Sequence, residues 1–299
     1  MNLVNGKEVL ANKSGRKFID LGERGKYSLN NKLNDLTGKE WIKFTKSWFI
    51  HRPPRRKDDE ILHPAKFPES LVEEFILFFS KENEYIFDPF AGTGSTLIAS
   101  GNTKRNAAGI ELNKKYFDIC KKRIKSAGFK NEVSVFKGSS LNAEKLIHKK
   151  LGKDFQIDYT ITSPPYWNQL ERNSIRQSER KEKGLDTKYS EEKDDIGNIS
   201  NYEEFIENQA RIFDEVYKLT KNLGYLTIIT NNIYFNSRLY PLAYDTATSL
   251  TKRGEYSWVL KDEKIWLQND KPLIALGVNN AWVGNRHHQF CLIFRKEEK

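Results

Sequence analysis

The chain has 299 residues and a mass of 34.9 kDa, long enough to bury one large core, which excludes a disulfide-stapled miniature scaffold. Hydrophobic residues make up 38% and charged residues 30%, a polar-surfaced globular composition, and the longest apolar run, FILFF at 75–79, is far too short to span a bilayer. Fifty Lys and Arg against 40 Asp and Glu leave a formal charge of +10, which draws the chain to polyanions, nucleic acid first among them.

Residues 1–60 hold 14 Lys/Arg and 8 Asp/Glu, so +6 of the excess lies there. Periodicity is weak over 1–45, to which no firm structure is assigned, and 1–60 is expected to form a basic N-terminal arm. The first fifteen residues lack a continuous apolar segment, so no signal peptide is expected and the protein is read as cytoplasmic, with no membrane partner. Within this stretch, Lys46–Lys57 carries five basic residues, no acid, and the aromatics Trp48 and Phe49. Arg52, Arg55 and Arg56 are candidates to hold phosphates, although a solvated arm has the same composition.

From Glu69 the pattern changes. Leu71, Val72, Phe75, Ile76 and Phe79 recur at helical spacing after Pro68. YIF at 85–87 reads as a buried strand, STLIAS as a helix, AAGIEL at 107–112 as a second strand, and Tyr116, Phe117, Cys120, Ile124 and Ala127 as one face of a helix. VSVF at 133–136, LNAEKLIHKK and FQIDYTIT at 155–162 continue the alternation. Strands alternating with helices predict right-handed βαβ units and a mostly parallel, doubly wound α/β sheet over 61–299. Ser200 with Glu203, or Asn201 with Glu204, offers a capping box for a helix through Tyr217. GYLTIIT at 224–230 is a further strand, 239–252 a further helix, and YSWVL and QFCLIF late strands that pair antiparallel. Residues 168–199, rich in charge and without periodicity, are expected to form an insertion loop. Cys120 and Cys291 lie far apart in no metal-ligand spacing, so both are expected to be packing residues and no metal is expected.

Two motifs carry chemistry. The first is Asp88-Pro-Phe90-Ala91-Gly92-Thr93-Gly94-Ser-Thr, between a strand and a helix. Its glycines let the backbone turn tightly against a ligand at a helix N-terminus. Leu97 stands where a dinucleotide fingerprint needs glycine, and no Walker A sequence occurs, which disfavours NAD and ATP. Glu111 ends the next strand 19 residues after Gly92, where a carboxylate can hold ribose hydroxyls. The second motif is Thr162-Ser163-Pro164-Pro165-Tyr166-Trp167, directly after a strand. The prolines remove two N–H donors and leave the carbonyls of Ser163 and Pro164 as acceptors, Ser163 adds a hydroxyl, and Tyr166 and Trp167 add flat faces. Acceptors beneath an aromatic plate suit the exocyclic amine of a flipped base.

Together these motifs resemble the amino-methyltransferases that modify DNA at N4 of cytosine or N6 of adenine with S-adenosylmethionine. DPFAGTGST resembles that family's cofactor motif, His63-Pro64-Ala-Lys-Phe67-Pro its companion, GIELN the strand end with the ribose-binding acid, TSPPYW the catalytic motif and NRHHQFCLIFRK the last core strand. The resemblance implies the Rossmann-like methyltransferase fold, a seven-stranded sheet with an antiparallel final hairpin. It also implies duplex DNA as substrate and a cognate restriction endonuclease as companion. Ser at the first position of the catalytic motif leans toward cytosine N4. Gly138-Ser139-Ser140 stands where many members have Gly-Asp, so Ser139 is the candidate contact to the adenine of the cofactor. Only 69 residues separate Gly94 from Ser163, which leaves no room there for a recognition domain. Recognition is therefore expected from the N-terminal arm, from 168–199 with Arg172 or Arg176 near the base, or from beyond 231. A C5-cytosine enzyme needs a thiolate nucleophile, and neither cysteine follows a proline. An RNA amino-methyltransferase shares the same features, and a non-catalytic DNA-binding module is a further alternative.

Overall fold

The computed structural model describes residues 3–4, 7–52, 68–167, 192 and 194–298. Strands β1 (Leu3–Val4), β2 (Lys7–Ala11), β3 (Lys17–Asp20) and β4 (Lys26–Ser28) pair in sequence order as a small antiparallel meander. Helix α1 (Gly38–Phe44) starts at a capping box in which the Thr37 hydroxyl accepts from Glu40 N and the Glu40 carboxylate accepts from Thr37 N. Strand β5 (Trp48–Ile50) follows.

The alternating part then runs α2 (Glu69–Phe79), β6 (Tyr85–Asp88), α3 (Ser95–Asn102), β7 (Asn106–Glu111), α4 (Lys114–Ala127), β8 (Val133–Lys137), α5 (Ala143–Leu151) and β9 (Ile157–Thr162). After the Thr162–Trp167 segment come α6 (Tyr202–Leu219), capped by Asn201, β10 (Thr220–Thr230), β11 (Ile233–Phe235), β12 (Arg238–Tyr240), α7 (Leu242–Leu250), β13 (Val259–Leu267) and β14 (His288–Arg295). The expected helix over 239–252 is thus shorter, because Pro241 separates it from a strand.

The main sheet has the order β5-β13-β14-β10-β9-β6-β7-β8, and every neighbouring pair is parallel except those made by β14. It has eight strands, not seven. The addition is β5, from the basic segment, held by backbone pairing to β13 and by the Lys264 ammonium, which donates to the carbonyls of Phe44 and Lys46. The described residues 7–52 therefore form no bare arm. Asn34, fully buried, donates to the Phe78 carbonyl at 2.6 Å, and Trp41 and Phe44 pack on Phe78 with ring centroids 4.8 and 4.2 Å apart.

Side chains alternate across the sheet into two cores. One lies under α2, α3 and α4 and takes Ile86, Tyr159, Ile161, Cys291 and Ile293; the other lies under α5, α6 and α7 and takes Phe87, Ile228, Phe290, Leu292 and Phe294. Both cysteines are free and buried, and burial pushes each thiol up to about 12, as inert packing residues require. Among the described residues no helix is long and apolar enough to cross a membrane.

Candidate active site

Parallel strands deliver their following loops to one edge, and ligands of such sheets bind there. The turn after β6 holds Phe90, Ala91, Gly92, Thr93 and Gly94, shaped by Gly92 at φ 54° and Gly94 at φ 89°. A Cβ on Gly94 would come within 2.5 Å of Cys120 Sγ on α4, so only glycine lets this helix start pack so closely. Phe90 and Ala91 face the cores, and the Thr93 carbonyl accepts from Arg123 at 2.6 Å.

Glu111 ends β7. Its carboxylate accepts from Gly92 N at 2.7 Å and from Asn113 N at 2.6 Å, clamping the turn to the adjacent strand. It is 8% exposed, and burial, assisted by the charges of Asp88 and Asp195, raises its pKa to about 7. Beside it, at the end of β8, Ser139 presents an inaccessible hydroxyl with no partner, the kind of buried polar atom that a ligand group satisfies. An expectant hydroxyl, a raised carboxylate and a glycine turn at a helix start fit the adenosine part of the expected cofactor.

Asp88, expected among the cofactor contacts, spends its acceptors on the protein. It is 1% exposed and accepts from Phe90 N at 2.9 Å and from the hydroxyls of Thr96 and Thr162, both at 2.6 Å. Burial pushes its pKa up while these three bonds pull it down. It is a positioning residue, joining the turn after β6 to the root of the loop after β9.

That second loop carries Ser163, Pro164, Pro165 and Tyr166, with Pro164 buried and the others half-buried. The hydroxyls of Ser163 and Tyr166 lie 3.1 Å apart, and Tyr166 donates to Gln289 Oε1 on β14, also at 3.1 Å. Trp167 departs from expectation. It is 3% exposed, its indole N–H donates to the Ser200 carbonyl at 3.1 Å, and its ring packs 4.5 Å from Tyr240 and 4.9 Å from Tyr202. Its area is sunk in a third apolar cluster with Ile196, Phe205 and Ile233, so it underpins the loop after β9 and offers no exposed face for the expected contact with DNA.

Arg52 is exposed just past β5, whose parallel pairing with β13 sends it out at the edge that also bears Ser163. His63, Pro64, Phe67, Arg55, Arg56, Arg172, Arg176 and nearly all of the 168–199 loop lie outside the described residues. Sequence reasoning missed Gln289, Arg123 and Asp195, which reach the site from other elements. It also missed Asn231, directly after β10, whose Oδ1 is inaccessible and unpartnered next to the strand end that Tyr166 touches. The Asn231-Asn232 pair closing a strand was the one available signal.

The orphan methyltransferase M.BamHII of Bacillus amyloliquefaciens is 44% identical over 64 residues, 21% of this chain and 24% of that protein. The Type II methyltransferase M2.LlaDCHI of Lactococcus lactis subsp. cremoris is 44% identical over 62 residues, 21% and 23% of the two chains. The matched stretches thus span about a quarter of these relatives' length. Among solved structures, TrmN from Thermus thermophilus superimposes with a TM-score of 0.46 at 9% identity, over 76% of this chain and 48% of that one. A family model for DNA methylases, N6_N4_Mtase, matches residues 9–122 and 157–299, nearly the whole chain, which therefore belongs to the N6/N4 DNA methylase family.

Proposed function

We propose that this chain transfers the methyl group of S-adenosylmethionine, the cofactor of its family, to the N4 amine of a cytosine in duplex DNA. The observation that carries the reading is the sharing of one buried carboxylate: Asp88 ties the glycine turn after β6 to the acceptor loop after β9. The two strands are neighbours, so donor and acceptor sites sit side by side, about 5 Å apart at their roots.

The bound cofactor supplies an electrophilic sulfonium methyl. Glu111 accepts the ribose hydroxyls, and the Ser139 hydroxyl meets the adenine edge. Ser163 Oγ and the Pro164 carbonyl accept the two N–H bonds of the target amine, whose lone pair is otherwise conjugated into the ring. This shifts the nitrogen toward a tetrahedral geometry and turns the lone pair to the methyl, while the Tyr166 ring stacks on the extruded base. The gain comes from orientation and fixed dipoles, worth several kcal/mol when the reacting atoms are held about 3 Å apart. The methylated nitrogen is cationic and loses its extra proton to solvent. Ser163 in place of Asp supports cytosine; N6 of adenine is the alternative within the same family. Arg52, Arg55 and Arg56 hold the phosphate backbone, and Arg172 or Arg176 reads a neighbouring base. A restriction endonuclease for the same site is the companion this reading implies.

The test is label transfer from tritiated S-adenosylmethionine to duplex DNA and, in parallel, to structured RNA. The wild type is expected to label DNA, and Ser163→Ala to lose nearly all transfer while binding cofactor normally. Label on RNA alone would replace DNA with RNA as the substrate.

A further inference from the structure

The edge of the sheet that bears Ser163 carries a second feature, the connection from β13 to β14, residues 268–287. β14 runs antiparallel to β10, with Phe290 opposite Thr230 at the end of that strand, so the connection emerges at the catalytic edge. Its root touches the catalytic loop through Gln289, which accepts from Tyr166 at 3.1 Å. Its apex is strongly apolar and exposed: Trp282 is 90% exposed, Leu273 81% and Val278 64%. An exposed apolar patch of this kind marks an interaction surface, and a free indole forgoes several kcal/mol of burial at about 25 cal/mol per Å².

The apex is also built rather than loose. Asn285 closes it by accepting from Ile274 N and donating to the Ile274 carbonyl, both at 2.9 Å. The tip turns on Gly277, whose carbonyl accepts from Asn280 N at 3.0 Å and Ala281 N at 2.9 Å. Gly277 has φ 63°, and a Cβ there would meet the Ala281 carbonyl oxygen at 2.1 Å. Residues 273–285 carry no charge, while Lys271 and Arg286 flank them against a single Asp270.

We propose that residues 268–287 form a DNA-contacting finger whose Trp282 wedges into the base stack beside the target nucleotide, an inference that rests on the reading of the site as a DNA methyltransferase. Extruding a base leaves a gap in the stack, and a rigid aromatic that fills it offsets part of the unstacking cost. The apolar apex suits the stack, the exposed amides of Asn279 and Asn280 suit base edges, and the basic flanks suit phosphates. A second copy of the chain suits the apex less well, because the connection leaves the sheet at the edge that bears Ser163, where dimerisation would close the path of a duplex.

The test compares the full chain with Trp282→Ala, Trp282→Phe and Ile42→Ala, the last an exposed apolar residue on α1. Substrates are a duplex with 2-aminopurine at the target position for flipping, the natural duplex, and the same target opposite an abasic site. Trp282→Ala is expected to raise KM for the natural duplex about tenfold and to suppress the aminopurine signal, and to lose less than about threefold opposite the abasic site, where no pair is broken. Trp282→Phe keeps most of the duplex activity, and Ile42→Ala all of it. Equal losses on both substrates, or wild-type behaviour of Trp282→Ala while the wild type methylates duplex DNA, overturn the finger alone. A dimer dissociated by Trp282→Ala with unchanged duplex kinetics also overturns it. Failure of the wild type to methylate any DNA sinks the reading of the site and the finger with it.

Discussion

Glu111 shows how a single residue sets a measurable pH response. Its carboxyl is pushed up to about 7 by burial, and ribose hydroxyls donating to it, as proposed above, would favour the ionised form. Affinity for 5′-methylthioadenosine, which keeps the nucleoside and lacks the titrating amino-acid group, is therefore expected to rise up to roughly tenfold from about pH 6 to about pH 8. Calorimetric titration reads this, and Glu111→Gln should weaken binding and flatten the curve. The stability effect has the opposite sense. A carboxyl whose folded pKa lies above its unfolded value of 4.5 stabilises the fold when protonated, and that contribution is lost as pH rises through about 7. Glu111→Gln should thus raise the melting temperature of the cofactor-free protein above that pH. At the acceptor loop, Tyr166→Phe and Gln289→Ala remove one and the same hydrogen bond. Each is expected to slow transfer about tenfold and the pair hardly more, whereas Tyr166→Ala, which loses the ring as well, falls by at least about a hundredfold. Additive losses in the double variant would contradict the shared bond. Ser163 and Glu111 could be singled out in the sequence because the chemistry proposed for them needs particular residue types at short spacing from glycines and prolines. Gln289 was not, since it arrives 123 residues after Tyr166.

Among the elements, α3 and α4 are locked at Gly94. Gly94→Ala forces a side chain onto Cys120 Sγ at φ 89°, and a cost of at least about 2 kcal/mol in urea unfolding is expected. Adding Cys120→Ala should recover only part of it, because the clash is relieved and the backbone strain is not; a fully stable Gly94→Ala would contradict the packing. Most of the strands and helices from 69 to 162 were readable from apolar periodicity, since each buries a stripe or a face. The meander β1–β4 was not, because it buries little: β2 is exposed at Lys7, Glu8, Leu10 and Ala11. Nor was β5, which joins the sheet through backbone bonds and a lysine that caps carbonyls, features without a periodic signature.

Across the whole molecule, Arg52, the loop after β9 and the β13–β14 connection converge on one edge of the sheet. Neutralising Arg52, Arg55 and Arg56 together is expected to weaken binding to every duplex and to flatten the slope of log affinity against log salt by roughly 2 to 3, since each neutralised phosphate releases a counterion. An unchanged slope would leave that segment as a solvated connector. The direction of the charge argument was legible from composition, but the convergence was not, because it depends on which strand each loop follows. Nucleoside mass spectrometry reads out whether Ser163 and its neighbours accept the exocyclic amine of a DNA base. Duplex DNA is incubated with the chain and methyl-labelled S-adenosylmethionine, then digested. N4-methylcytosine is expected from the wild type and none from Ser163→Ala; label at C5 of cytosine, or equal N4-methylcytosine from Ser163→Ala, would overturn this role of Ser163.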